Sequence, residues 1–202
     1  PIKSSAASDV YKRQAQKWTL LETEKTLYSI MGKTNVSVSQ MVKFYKNKAT
    51  VSYPYSNVSE APTIEKFCQI YKEESEVEGV KAEVAFAQAM METGFLKFGG
   101  DVKKDQYNFA GIGAIGGGSS GAKFDSIRIG IRAHVQHLKA YASKEALKQP
   151  VVDPRFQYVK RGSAEYVQWL GQKENPNGYG WATAKNYGNN IVKLYILPMK
   201  KY

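Results

Sequence analysis

Val84-Ala85-Phe86-Ala87-Gln88-Ala89-Met90-Met91-Glu92-Thr93-Gly94 decides the fold. The run before the acid has a single polar member, Gln88, and a helix-stopping glycine closes it. That pattern spells a helix apolar on every face, which must lie inside a larger helical assembly. Glu92 falls at its C-terminal end and is expected to be buried there. Desolvation and the negative end of the helix dipole both disfavour an ionised carboxylate, so its pKa is expected to rise. Such an acid keeps a proton near neutrality and can deliver it to a leaving oxygen. The plainer alternative is a solvated last-turn glutamate.

Beyond the helix comes Tyr107-Asn108-Phe109-Ala110-Gly111-Ile112-Gly113, an aromatic and amide cluster with glycines that admit a ligand close to the backbone, as sugar sites do. The glycines of Ala114 to Gly121 cannot specify a helix and predict a hairpin or mobile loop. A phosphate-cradling loop is disfavoured, because no strand precedes it and no Lys-Ser/Thr closes it. Apolar periodicity predicts helices over about 63–75, 80–93, 127–142, 163–171 and 183–195. A capped amphipathic helix is expected from Ser37, an extended stretch from Ala49 to Tyr53, and a linker-like loop over 56–62. The fold class is mainly α. Residues 1–14 resemble translated adapter sequence and read as non-native, 1–27 as an extension outside the core, and 28–202 as one domain.

The chain has 202 residues, 43% of them hydrophobic and 12% aromatic, enough for a substantial core. No apolar run approaches the ~20 residues of a membrane span, and no secretory signal is visible. Lys and Arg total 29 against 18 acids, a net charge of +11 that calls for an anionic partner or environment. The cations are dispersed and no nucleic-acid-binding pattern is present, so nucleic acid is set aside in favour of an anionic wall polymer. Cys68 excludes an intrachain disulfide framework and reads as a small buried residue. His134 and His137 lack metal-ligand company. His134 shares a helical stripe with Ile127, Ile131, Leu138 and Tyr141, which makes it a packing residue. Trp169 reads as core, whereas Trp181, in a glycine-rich turn, reads as an exposed ring, with sugar stacking and a plain surface role equally open.

Taken together, Met91-Glu92-Thr93-Gly94, Asn108-Phe109-Ala110-Gly111-Ile112, Phe124-Asp125-Ser126 with Gly130-Ile131-Arg132-Ala133-His134, and Trp181-Ala182-Thr183 with Tyr187 resemble glycoside hydrolase family 73 over about residues 28–197. These are bacterial endo-β-N-acetylglucosaminidases, and the likeness is to clostridial and related Gram-positive versions. The resemblance implies a lysozyme-like helical domain with a small β-hairpin lobe over the cleft. It makes Glu92 the catalytic acid and Asn108, Phe109, Gly111, Trp181 and Tyr187 substrate-binding residues. Trp181 replaces a tyrosine common in the family, keeping a stacking face and losing a hydroxyl. The expected lobe carries no acid from Ala114 to Ala122. Asp125 is therefore the nearest second carboxylate, with Asp101 and Asp105 as alternatives, and substrate assistance by the 2-acetamido group would need none of them. No metal or cofactor is implied. The expected protein is a secreted or wall-associated monomer that acts on peptidoglycan strands and is held by anionic wall polymers. Its rivals are a lytic transglycosylase and a non-catalytic wall-binding module. An idle buried carboxylate would only cost the latter stability.

Overall fold

Ser37 opens the first helix with a reciprocal cap, its hydroxyl accepting from the Gln40 amide while the Gln40 side chain returns to the Ser37 N–H. This is α1, Val38–Lys48, in a computed structural model that describes residues 26–114 and 121–202. Thr63 caps α2, Ile64–Glu78, which stops at left-handed Gly79. α3, Ala82–Thr93, ends on left-handed Gly94, and α4, Ile127–Ala142, is capped by Ser126. The C-terminal helix α5 runs as an α-turn Tyr187–Asn190, a π-helical stretch Ile191–Ile196 and a last α-turn Leu197–Met199. Pro198 cannot donate to the carbonyl of Leu194 and crowds it, which is the local reason for the widening before it.

α3 is buried without interruption from Ala82 to Met90, as an all-apolar helix must be. α1, α2, α4 and α5 surround it. α2 and α4 are also pinned by charge. Glu74 takes Arg128 at 2.8 Å and Arg132 at 2.9 Å. Glu78 takes the wholly enclosed Lys139 at 2.9 Å and accepts the N–H groups of Lys148 and Gln149. The many partners matter, because buried charges stabilise only when their hydrogen-bonding capacity is filled.

The expected helix over 163–171 shrinks to a 3₁₀ turn, Val167–Leu170. Its backbone groups bond elsewhere: Ile30 N–H donates to Glu165, Val167 N–H to Tyr28, and Ser29 bridges Tyr166. Long-range pairing overrides the local apolar period. The helix expected from 183 starts four residues later, at Tyr187. No strand forms over Ala49 to Tyr53. Extended pairing among the described residues is confined to the isolated bridges Ser29–Tyr166, Met31–Val80 and Gly171–Ala182. The expected β-hairpin lobe is not shown. Its tip, 115–120, lies outside the described residues, and its base is one bond from Ala122 N–H to Ile112.

That base rests on α4. Ile112 and Phe124 form a small satellite core with Ala110 and Ala133. Gly130 permits the approach: the Tyr107 carbonyl oxygen lies 1.8 Å from where a Cβ on residue 130 would stand. Gly130→Ala must push this segment off α4. It should destabilise the fold by about 2–3 kcal/mol and lower Tm by roughly 5–10 °C. Calorimetry that finds Tm unchanged would contradict the close approach.

Candidate functional site

The site is built on the end of α3. After Glu92 the chain turns through Gly94 and then Phe95, Leu96 and Phe98, all three bulky residues with φ near +60°. Left-handed geometry at such residues is strained, and strain of this kind collects at functional sites. It is held by Phe95 N–H on Met90 and Phe98 N–H on Thr93, both at 2.8 Å. The Thr93 hydroxyl donates to Ala89 and accepts from Leu96.

Glu92 is not buried as expected. The unbroken burial of α3 ends at Met90, though Thr93 is again buried, and Glu92 opens onto a cavity of about 280 Å³ lined also by Phe98, Asp101, Val102, Asn108, Gly111 and Ala114. One edge of the carboxyl meets solvent while protein crowds the rest. That crowding still raises its pKa above the ordinary carboxylate value, against the opposing hydrogen bond from the Tyr187 hydroxyl to Glu92 Oε1.

Behind Tyr187 lies a file of buried polar groups. Gln88 Nε2 donates to the Tyr187 oxygen at 2.8 Å, Gln88 Oε1 meets His134 Nε2 at 2.9 Å, and His134 Nδ1 meets the Tyr71 hydroxyl at 3.1 Å. Burial, reinforced by His137, pushes the pKa of His134 down to about 3, so its ring is neutral. Burial also lifts the Tyr187 phenol well above its usual range. Sequence reasoning placed His134 in packing and gave Gln88 and Tyr71 no role. The available sign was Gln88 itself, the lone polar residue of the apolar run and one helical turn before Glu92, hence on the same face.

The other expected site residues divide. Gly111, at φ +64° with open space where a Cβ would go, lines the Glu92 cavity. Asn108 lies under that cavity with its amide committed: Oδ1 accepts from Ile112 N–H at 2.9 Å, and Nδ2 donates to Ile112 at 2.9 Å and Ala122 at 3.0 Å. It ties the neck of the loop. Phe109 requires correction as a ligand contact, because it is fully enclosed among Tyr55, Phe67 and Tyr71 and belongs to the core. Tyr187 is brought to Glu92. Trp181 lines an adjoining cavity of about 230 Å³ that shares Gly111 and Ala114 with the first. Its half-buried ring packs edge-on to His137, at 4.6 Å, and tilts against Tyr141. His137 is fixed by Asp153 at 2.7 Å.

Asp125 is exposed beside the cap of α4 and does not line the Glu92 cavity, nor does exposed Asp105. Asp101 does. Among the described residues no group of three His, Cys, Asp or Glu side chains could hold a metal. Cys68 is enclosed, and burial pushes its thiol up, away from the reactive thiolate. No helix among the described residues is long and apolar enough to cross a membrane.

An acid with a raised pKa, presented to a cleft at the end of a buried helix, is the equipment of a glycoside hydrolase. The model of the mannosyl-glycoprotein endo-beta-N-acetylglucosaminidase family matches residues 68–196, from within α2 to the π-helical part of α5, and the chain belongs to that family. It is also 46% identical over 132 residues to an uncharacterized protein of Borreliella burgdorferi, an overlap of 65% of this chain and 61% of that protein. The chain thus spans less than two thirds of that relative's length. No solved structure matches.

Tyr187→Phe removes the donor that favours ionised Glu92 and leaves desolvation unopposed, so the acid holds its proton to higher pH. The Glu92 pKa, followed by carbon-13 NMR of its carboxyl, should move up by about 1–2 units. A downward or absent shift would contradict this geometry.

Proposed function

We propose that the protein is an endo-β-N-acetylglucosaminidase that hydrolyses the β-1,4 bond after N-acetylglucosamine in peptidoglycan. The observation that carries the reading is Glu92, its pKa raised by the protein crowded around it, opening into a cleft on a chain of the glucosaminidase family. In the substrate-assisted route the carbonyl oxygen of the 2-acetamido group bonds to the anomeric carbon. The bond from that carbon to the leaving oxygen breaks as Glu92 gives the oxygen its proton. Water then adds at the anomeric carbon and opens the oxazolinium ring, and the water's proton returns to the Glu92 carboxylate. Trp181 is suited to stack a sugar face in the adjoining cavity.

The net charge of +11 supports attraction to anionic wall polymers, in keeping with a secreted or wall-associated monomer. A lytic transglycosylase would use the same acid and leave 1,6-anhydro ends. A wall-binding module would have no use for a carboxyl with a raised pKa.

Borohydride reduction and mass spectrometry of muropeptides released from purified walls should show reduced N-acetylglucosamine ends for the wild type. For Glu92→Gln, release should fall by about 10³-fold or more. Anhydro ends would move the protein to the transglycosylases, and undiminished release by Glu92→Gln would remove its acid.

Of the three aspartates weighed from sequence, Asp101 alone lines the cavity with Glu92, so it is the one that could complete a carboxylate pair. Under substrate assistance Asp101→Asn should keep turnover within about tenfold, whereas loss comparable to Glu92→Gln would establish a two-carboxylate route.

A further inference from the structure

We propose that Tyr71, His134 and Gln88 form a one-directional relay of hydrogen-bond donors ending on Glu92 through Tyr187, with Gln88 and His134 as positioning residues for the acid. The inference rests on the reading of Glu92 as the general acid.

The direction follows from the acid backwards. With the proton of Glu92 on Oε2, or with the carboxylate ionised, Oε1 only accepts, so the Tyr187 hydroxyl spends its one proton there. The Tyr187 oxygen must then accept from Gln88, which turns the Gln88 amide nitrogen towards Tyr187 and its carbonyl towards His134. A carbonyl requires a donor, so the proton of the neutral imidazole is on Nε2. That leaves Nδ1 to accept from the Tyr71 hydroxyl. Each donor points towards the acid. Tyr71, His134 and Gln88 are fully enclosed and Tyr187 is 8% exposed, so water does not compete for these groups.

Two consequences bear on the chemistry. Aligned donors polarise one another, so the last of them, Tyr187, meets the carboxylate more strongly than an isolated phenol would. That interaction grows as the acid loses its proton, which favours the charge developing in the transition state. The relay also distinguishes the two oxygens of Glu92: Oε1 is engaged from behind, and Oε2 is left to carry the proton towards substrate.

The titratable groups around the file come from every side. Tyr71 belongs to α2, His137 and Tyr141 to α4, and Tyr187 and Tyr195 to α5, while Asp101 lines the same cavity as Glu92. Of these, the Tyr187 hydroxyl is the group whose hydrogen bond lowers the pKa of Glu92. A downward pull therefore has to come through the relay.

Nitrogen-15 NMR of the histidines in the unmodified protein tests the direction without any variant. His134 should show a protonated Nε2 and an accepting Nδ1 from pH 5 to 8. The opposite tautomer, or protonation above pH 5, would overturn the relay. Kinetics test its effect. Gln88→Leu and His134→Leu should raise the alkaline limb of the kcat/KM profile by roughly half a unit and lower kcat severalfold with KM unchanged, and His134→Gln should restore most of both. Because the effect passes through one phenol, Gln88→Leu should add no further shift in a Tyr187→Phe background. An unmoved limb in folded Gln88→Leu, or additive shifts, would overturn the proposal. Undiminished turnover by Glu92→Gln would instead sink the acid assignment and leave the NMR result intact.

Discussion

A helix with no polar face can deliver a charged group to water only at its end, and the architecture is arranged around that constraint. α3 is enclosed by four other helices through Met90, so the transition from core to cleft happens within its last residues. Gly94 stops the helix there, and the left-handed run Phe95, Leu96 and Phe98 turns the chain aside. Glu92 is left between an apolar interior that resists its charge and a cavity that can take a substrate.

The loop that shares this cavity is held by an equally local device. Asn108 uses its whole amide on the two sides of the loop neck, and the Tyr107 carbonyl presses into the gap left by Gly130 on α4. Gly111 and Ala114 can then border both the Glu92 cavity and the one lined by Trp181. Asn108, which lines the Glu92 cavity, and Phe109, enclosed in the core, both help decide where the cleft lies.

α2 and α4 were legible from the cap residues Thr63 and Ser126 and a 3.6-residue period, and α3 from its unbroken apolar run closed by Gly94, all local signals. The segment 163–171 carried the same apolar spacing, but its backbone groups pair with residues 28–30. No window on the sequence contains both partners. The rise in the pKa of Glu92 was legible from its apolar surroundings. Its exposure was not, since burial within a helix run does not say where the run emerges. The relay joins Tyr71, Gln88, His134 and Tyr187 from four helices. Tyr187 was singled out only through the family resemblance, Tyr71 and His134 look like ordinary packing, and Gln88 alone broke its local pattern.

The most direct test is a crystal structure of Glu92→Gln with a peptidoglycan-derived tetrasaccharide. The account predicts a glycosidic oxygen within about 3 Å of the residue 92 side chain, on the edge facing away from Tyr187, with a sugar face on Trp181. Saccharide bound elsewhere on the surface, with the Glu92 cavity empty, would contradict it.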